Sequence, residues 1–218
     1  MTTTRKSATR LNWQAGPLAL TDDAVRLAVI SRLGWIKRQR AKFEGQSRQS
    51  EREMVSGESH YFLAQRYRLK VIGHHGAGKV VLPNKSTMAL YARPETSSMQ
   101  RKQVLQRWYR EQLKRLIPPL LDKWQTALGV QVADWGVKKM KTKWGSCNIG
   151  SRRVWLNLEL AKKPVQCLEF IVVHELAHLL ERYHNERFIA LMEQHLPTWR
   201  VWRDMLNHAP LAHENWSY

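Results

Sequence analysis

One short stretch limits what this chain of 218 residues can fold into: His174, Glu175 and His178 stand inside an apolar run. Apolar residues fill the positions around them from Phe170 to Leu180, which is typical of a buried helix. Residues four apart share one face of a helix, so both imidazoles can bind one metal ion. Glu175 lies one step around the helix, where it can act as general base toward a water molecule that the metal activates.

The alternative is a half-buried helix that carries these polar residues by accident. For a chain of this composition, about 0.02 chance matches to the pattern are expected. The apolar helical setting lowers that number further, so the pattern predicts a metal site.

A catalytic zinc site needs a third protein ligand and an open position for water. We expect His184 to be that ligand, with Glu193 as the next candidate. His184 can face the other two histidines only if the helix ends near residues 182–183 and the chain turns back. Asn185 favours such a turn, because it can cap a new helix that starts at Glu186.

The other residues that could bind a metal fit different roles. Glu181 shares the helix face of the two histidines, but it lies about 10 Å along the axis from His174. It fits better as a solvated residue or as a partner that orients the ligands. Cys147 and Cys167 are the only cysteines, and a structural role is expected for Cys147.

The formal net charge of +18 comes from 36 Lys and Arg against 18 Asp and Glu. Such an excess attracts polyanions such as nucleic acid, nucleotides or acidic polypeptides, although a solvated basic surface explains it equally well. Lys139, Lys141 and Lys143 alternate, which predicts one face of a strand, either facing substrate or facing water. Few cysteines and no long apolar run predict a cytoplasmic protein without a membrane span.

Composition and periodicity divide the chain into three parts. Residues 1–20 are expected to be loosely ordered, and residues 21–95 to form an N-terminal helix and a small β region. Residues 96–218 are expected to form the metal-binding region, continuous with residues 21–95 in one domain. Within it, the pair Pro118-Pro119 is expected to kink or split a long helix.

Several spaced motifs extend beyond the metal-binding helix. They are Lys143-Trp144-Gly145-Ser146-Cys147, Leu156-Asn157, Val173-His174-Glu175-Leu176-Ala177-His178, His184-Asn185-x-x-Phe188 and Pro197. Together they resemble the YgjP-like metallopeptidase domain, which is similar to the WLM and SprT-like zincins. The resemblance covers roughly residues 22 to 207 and is strongest in the second half of the chain.

The resemblance implies an α+β zincin-like domain, in which a small, mostly antiparallel sheet packs on the active-site helix. It implies that Glu175 is the catalytic acid/base and that the metal ligands are His174, His178 and His184. It also implies that the strand from Trp144 to Cys147 borders the cleft, where an edge strand can pair with an extended peptide. The expected substrate contacts are Lys141, Lys143, Trp144 and Ser146.

One departure from the family pattern concerns the N-terminus. Family members usually open with an extra pair of strands before the first helix. Here only 20 residues precede Thr21, and they lack strand character. We therefore expect that opening to be lost, shortened or replaced.

These observations leave three functional hypotheses. The leading one is a zinc metallopeptidase that acts on a peptide or protein, although affinity order alone does not select zinc over Ni²⁺ or Mn²⁺. The second is a metal-dependent nucleotide pyrophosphatase, which the positive charge would suit. The third is a nucleic-acid-binding module, or a protease of DNA-associated proteins.

Overall fold

The computed structural model describes residues 21, 23, 26–28, 30–35, 37 and 52–208. The chain divides into two compact units, residues 1–47 and 48–218. In the first unit, every described residue from 23 to 37 is helical (α1), and Thr21 just before it is not. The segment predicted to be loosely ordered, residues 1–20, lies outside the described residues.

The second unit begins with a four-stranded sheet. Its strands are β1 (Ser59–Phe62), β2 (Gln65–Gly73), β3 (Lys79–Val81) and β4 (Thr87–Ala92). In the order β1-β2-β4-β3, only the β2–β4 pair is parallel. Buried and exposed residues alternate along β2. Tyr67 and Leu69 are buried, while Arg66, Arg68 and Lys70 are exposed. One face of the strand therefore packs on the core and the other faces water.

A three-stranded sheet follows later in the chain. Its strands are β5 (Asp134–Lys138), β6 (Gly145–Asn148) and β7 (Arg153–Asn157). The central strand, β7, pairs in parallel with β5 and antiparallel with β6. Strand β6 is therefore an edge of this sheet. Helices and small sheets confirm the predicted α+β class, with the strands divided between two sheets instead of one.

The predicted lysine strand is wrong. Strand β5 ends at Lys138 and β6 begins at Gly145, so Lys139, Lys141 and Lys143 lie in the connecting loop, residues 139–144. The physical reason is a tertiary contact: backbone groups of this loop bond to the side chain of Asn157 instead of to a neighbouring strand.

Helix α2 (Ser98–Leu128) links the two sheets, contacting β3 and β4 of the first, β5 of the second, and the helix that carries His174. It begins with a capping box at Ser97 and ends at Gly129, whose φ of 66° suits a helix end. One stripe of the helix faces the core. The stripe contains Leu105, Tyr109, Leu113, Ile117, Leu121, Trp124 and Leu128.

The two prolines do not split α2, contrary to the expected alternative of two helices. Pro118 and Pro119 lie inside one continuous helix. Each proline removes one backbone hydrogen bond to the carbonyl four residues earlier. Those carbonyls belong to Lys114 and Arg115, both exposed, so water can bond to them.

The helix that carries His174 and Glu175, α3 (Val165–Ala177), follows a short 3-10 helix (Leu158–Lys162) and starts after Pro164. Most of its residues are buried, because α2, α4, α5, β6 and β7 all pack against it. The last two helices are α4 (Glu186–His195) and α5 (Trp199–His208). Helix α3 is thus at the centre of the core, and its C-terminal end carries the predicted site.

Among the described residues, no helix is both long enough and apolar enough to cross a membrane.

Candidate metal centre

The C-terminal end of α3 places two histidines on one face. The rings of His174 and His178 have centroids 4.9 Å apart. His178 is the residue after the helix, yet its backbone N–H still donates to the carbonyl of His174. The helical spacing of four is therefore kept. Glu175 lies beside them with only 5% of its surface exposed.

His184 reaches the same place after the chain turns back. Its Nε2 lies 3.1 Å from Nε2 of His174, and its ring centroid lies 4.8 Å from that of His178. The helix ends at Ala177, earlier than the predicted residues 182–183. The structure thus brings all three predicted histidines together, with potential ligand atoms within 4.8 Å of one another.

Asn185 fixes the chain next to His184. Its side-chain oxygen accepts a hydrogen bond of 3.0 Å from the backbone N–H of Phe188, and α4 starts there as predicted. Phe188 is itself buried, and its ring centroid lies 4.7 to 5.0 Å from the centroids of all three histidines. Helix α4 therefore holds the third histidine and supplies an apolar wall to the cluster.

The three histidines suit a divalent metal such as zinc. Two nitrogen ligands of a tetrahedral zinc ion lie about 3.3 Å apart, close to the 3.1 Å between Nε2 of His174 and Nε2 of His184. Nδ1 of His178 lies 3.1 Å from the backbone carbonyl of Glu181. A proton on Nδ1 would donate to that carbonyl and leave Nε2 free to bind metal.

Burial keeps two of the three histidines in the neutral form. Burial, helped by the other two histidines, lowers the pKa of His174 to about 3. Burial also lowers the pKa of His178. Both imidazoles are therefore neutral near pH 7, which is the form that binds metals. Burial raises the pKa of Glu175 to about 8, and the charge of Lys143 opposes that change.

The other candidate ligands lie outside the cluster of three histidines. Glu193 forms an ion pair of 2.5 Å with Arg200. Glu181 contributes its backbone carbonyl to His178 instead of a carboxylate to a metal. Burial raises the pKa of the free thiols of Cys147 and Cys167 to about 11, which leaves both protonated and unreactive at neutral pH.

Strand β6 approaches the Glu175 carboxylate closely at Gly145. A Cβ atom at position 145 would lie 2.4 Å from Oε1 of Glu175 and 2.8 Å from Cγ2 of Ile171. Only a glycine leaves room for the carboxylate in its present position. The Trp-Gly-Ser-Cys run thus includes a residue that sequence reasoning had not connected with Glu175.

An open cleft of about 1190 Å³ joins β6 to the histidine cluster. The residues that line it include three of the four predicted substrate contacts, Lys143, Trp144 and Ser146, together with His174 and Glu175. Lys141, the fourth predicted contact, is not among the described residues that line the cleft. Arg182 and Arg203 also line the cleft.

Asn157 fixes the loop of residues 139–144, which borders the cleft. It is fully buried, and its side-chain nitrogen donates to the carbonyls of Lys143 at 2.7 Å and Met140 at 2.9 Å. Its side-chain oxygen accepts from the backbone N–H groups of Met140 and Glu159, at 3.3 and 3.1 Å. The sequence contained no signal for this role, because the partners lie 14 and 17 residues away and use only backbone atoms.

A family model described as YgjP-like, metallopeptidase domain, matches residues 13–209 of the chain. No curated protein matches this chain. Among solved structures, it is similar to the crystal structure of the metallopeptidase zymogen abylysin of Pyrococcus abyssi, with 22% sequence identity and a TM-score of 0.38. That similarity covers 40% of this chain and 89% of the other.

Proposed function

The chain belongs to the YgjP-like metallopeptidase domain family, and from that premise we propose that it is a zinc-dependent peptidase. In this proposal the metal ligands are His174, His178 and His184, and Glu175 is the general base. The observation that carries it is the convergence of three histidine side chains beside one buried carboxylate in an open cleft.

The ligand set favours zinc chemistry. Three imidazole ligands leave a coordination position open, as in catalytic zinc sites. When bound, the metal supplies Lewis acidity, polarising the scissile carbonyl and lowering the pKa of water. Ni²⁺ and Mn²⁺ remain alternatives, since imidazole also binds other first-row metals.

Glu175 is proposed to move the protons of the reaction. Its carboxylate takes a proton from the attacking water and passes it to the nitrogen of the leaving amine. Gly145 supports this role, because the close approach of β6 limits where the carboxylate can go. The buried position of Glu175 limits competition from bulk water.

The substrate is proposed to be an extended peptide or protein segment. Strand β6 is an edge of its sheet and also lines the cleft. Backbone groups at such an edge can pair with an extended chain, while Trp144 and Ser146 contact its side chains. The nucleotide and nucleic-acid alternatives have only the charge of +18 in their favour.

Glu175→Gln tests the proposal directly. The variant should keep the bound metal, because the three histidines are unchanged, and should lose at least about 100-fold in peptide cleavage, because an amide cannot accept the proton. Metal content and hydrolysis of unstructured peptides are measured on the same preparation. Glu169→Gln is the matched control on the same helix, since Glu169 binds Lys123 and Trp124 instead of facing the cleft. An undiminished rate in Glu175→Gln would contradict the proposal.

The metal itself needs a separate measurement. Chelation should abolish cleavage, and reconstitution of the apoprotein with Zn²⁺, Ni²⁺ or Mn²⁺ should show which ion restores it. Nucleoside triphosphates assayed in the same series test the pyrophosphatase alternative. Release of pyrophosphate without peptide cleavage would favour that alternative.

A further inference from the structure

The loop of residues 139–144 is held more tightly than an ordinary connection. Besides its four side-chain hydrogen bonds, Asn157 donates from its backbone N–H to the carbonyl of Trp144 at 2.9 Å. A fully buried amide whose donors and acceptor are all bonded holds its partners in one arrangement. The position of the Lys143 backbone is therefore set by β7, the central strand of the sheet.

This arrangement places one cation in the cleft of the proposed base. Lys143 lines the same cleft as Glu175 and the three histidines. The other two cationic residues of the cleft have their own partners. Arg203 bonds to Asp204, and Arg182 lies over the ring of Tyr183.

Peptide hydrolysis creates a negative charge that this cation could meet. As the water oxygen bonds to the carbonyl carbon, the electron pair of the C=O bond moves onto the carbonyl oxygen, and the water proton goes to Glu175. A fixed hydrogen-bond donor aimed at that oxygen lowers the barrier. Lys143 would keep its proton and donate only a hydrogen bond.

We propose that Lys143 is a catalytic residue that stabilises the negative charge on the carbonyl oxygen, and that Asn157 is the positioning residue that holds it there. The inference rests on the proposed peptidase function of the same site. It adds a second electrostatic group to the three histidines and Glu175.

Substitution of Lys143 separates this role from simple substrate attraction. In Lys143→Gln we expect kcat to fall about 100-fold with little change in KM, since the charge acts only as the reaction proceeds. Lys143→Arg keeps the charge and should recover part of the rate. Lys138→Gln removes one lysine charge just before the loop, at a residue that does not line the cleft. An equal loss in Lys138→Gln, or a loss confined to KM in Lys143→Gln, would overturn the proposal.

A double-mutant cycle tests Asn157. Asn157→Asp replaces the two donors with acceptors that face the carbonyls of Met140 and Lys143, so kcat should fall about tenfold. In a Lys143→Gln background the same change should have almost no further effect, because Asn157 acts through Lys143. If the effects of the two substitutions on kcat multiply independently, Asn157 supports only the fold and does not act through Lys143.

Binding of a transition-state mimic gives a readout that does not require turnover. A peptide phosphonate carries the negative charge that the carbonyl oxygen acquires. It should bind the metal-loaded wild type about tenfold or more tightly than metal-loaded Lys143→Gln. Equal binding by both, or no binding by the wild type, would overturn the role of Lys143. If the wild type binds the phosphonate with this difference but cleaves no peptide, the peptidase proposal fails and the charge-stabilising site remains.

Discussion

At the scale of single residues, the absence of one Cβ atom decides where the proposed base lies. Gly145 sits where β6 meets α3, and any side chain there would collide with Oε1 and Cγ of Glu175, at 2.4 and 2.8 Å. The same Cβ atom would also lie 2.8 Å from Cγ2 of Ile171. The carboxylate could relieve the collision only by moving away from its present position.

The Gly145→Ala substitution should therefore lower the rate of peptide cleavage without lowering metal affinity. We expect peptide cleavage to fall roughly 100-fold, because small displacements of a catalytic group have large effects. Metal affinity should change little, since no histidine is touched. Gly73→Ala is the control, because a Cβ there meets only Pro94 at an ordinary 3.7 Å. Full activity in Gly145→Ala would show that the position of Glu175 tolerates movement.

The sequence predicts the proposed ligand and base residues of the site better than the residues that contact and position them. Helical spacing is enough to put His174, Glu175 and His178 on one helix, and the capping residue Asn185 is enough to suggest how His184 returns. Nothing in the spacing indicates that Gly145 touches Glu175 or that Asn157 holds a loop. Both depend on contacts between elements far apart in the chain, which no local pattern encodes.

At the scale of elements, the start of α4 holds the third histidine. Asn185→Ala removes the cap and should cost about 1 kcal/mol of unfolding free energy. Because His184 is the preceding residue, metal affinity should also fall several-fold, as measured by competition with a chelator. Ser97→Ala removes the equivalent cap from α2, away from the cleft. Ser97→Ala should lower the free energy of unfolding by a similar amount and leave metal affinity unchanged. Equal metal affinity in Asn185→Ala and the wild type would contradict a role for the cap in the site.

The boundaries of elements show where sequence patterns are insufficient. The apolar stripe of α2 predicts a helix, yet the pair Pro118-Pro119 suggested an interruption that the continuous helix does not have. The residues that lose a backbone donor, Lys114 and Arg115, are exposed to water. Alternating lysines suggested a strand, but a buried side chain, Asn157, takes the backbone groups that a strand would use. In both cases the tertiary surroundings override the local pattern.

At the scale of the whole molecule, acid should destabilise the second unit through a buried histidine. Burial, and then the charge of Arg52, lower the pKa of His60 to about 4, although Glu58 opposes this. Between pH 6.5 and about 4, His60 binds a proton in the unfolded chain but stays neutral in the folded protein. The free energy of unfolding should therefore fall as pH drops from 6.5 to about 4, by roughly 3 kcal/mol in all.

Chemical denaturation at pH 7 and pH 4.5 measures this effect. His60→Gln stays neutral and should lose less stability between the two pH values than the wild type does. His75→Gln, at an exposed position in the same sheet region, should behave like the wild type. If His60→Gln and the wild type lose the same amount, other groups account for the acid sensitivity.

The residues proposed for chemistry, from Lys143 to His184, occupy one stretch of roughly 40 residues. The first sheet contributes none of the described residues that line the cleft. Mutations there that improve expression or heat resistance can therefore accumulate without revising the catalytic stretch. A laboratory seeking new substrates could instead diversify the cleft-lining residues 146–150 and keep Lys143 and Gly145 unchanged.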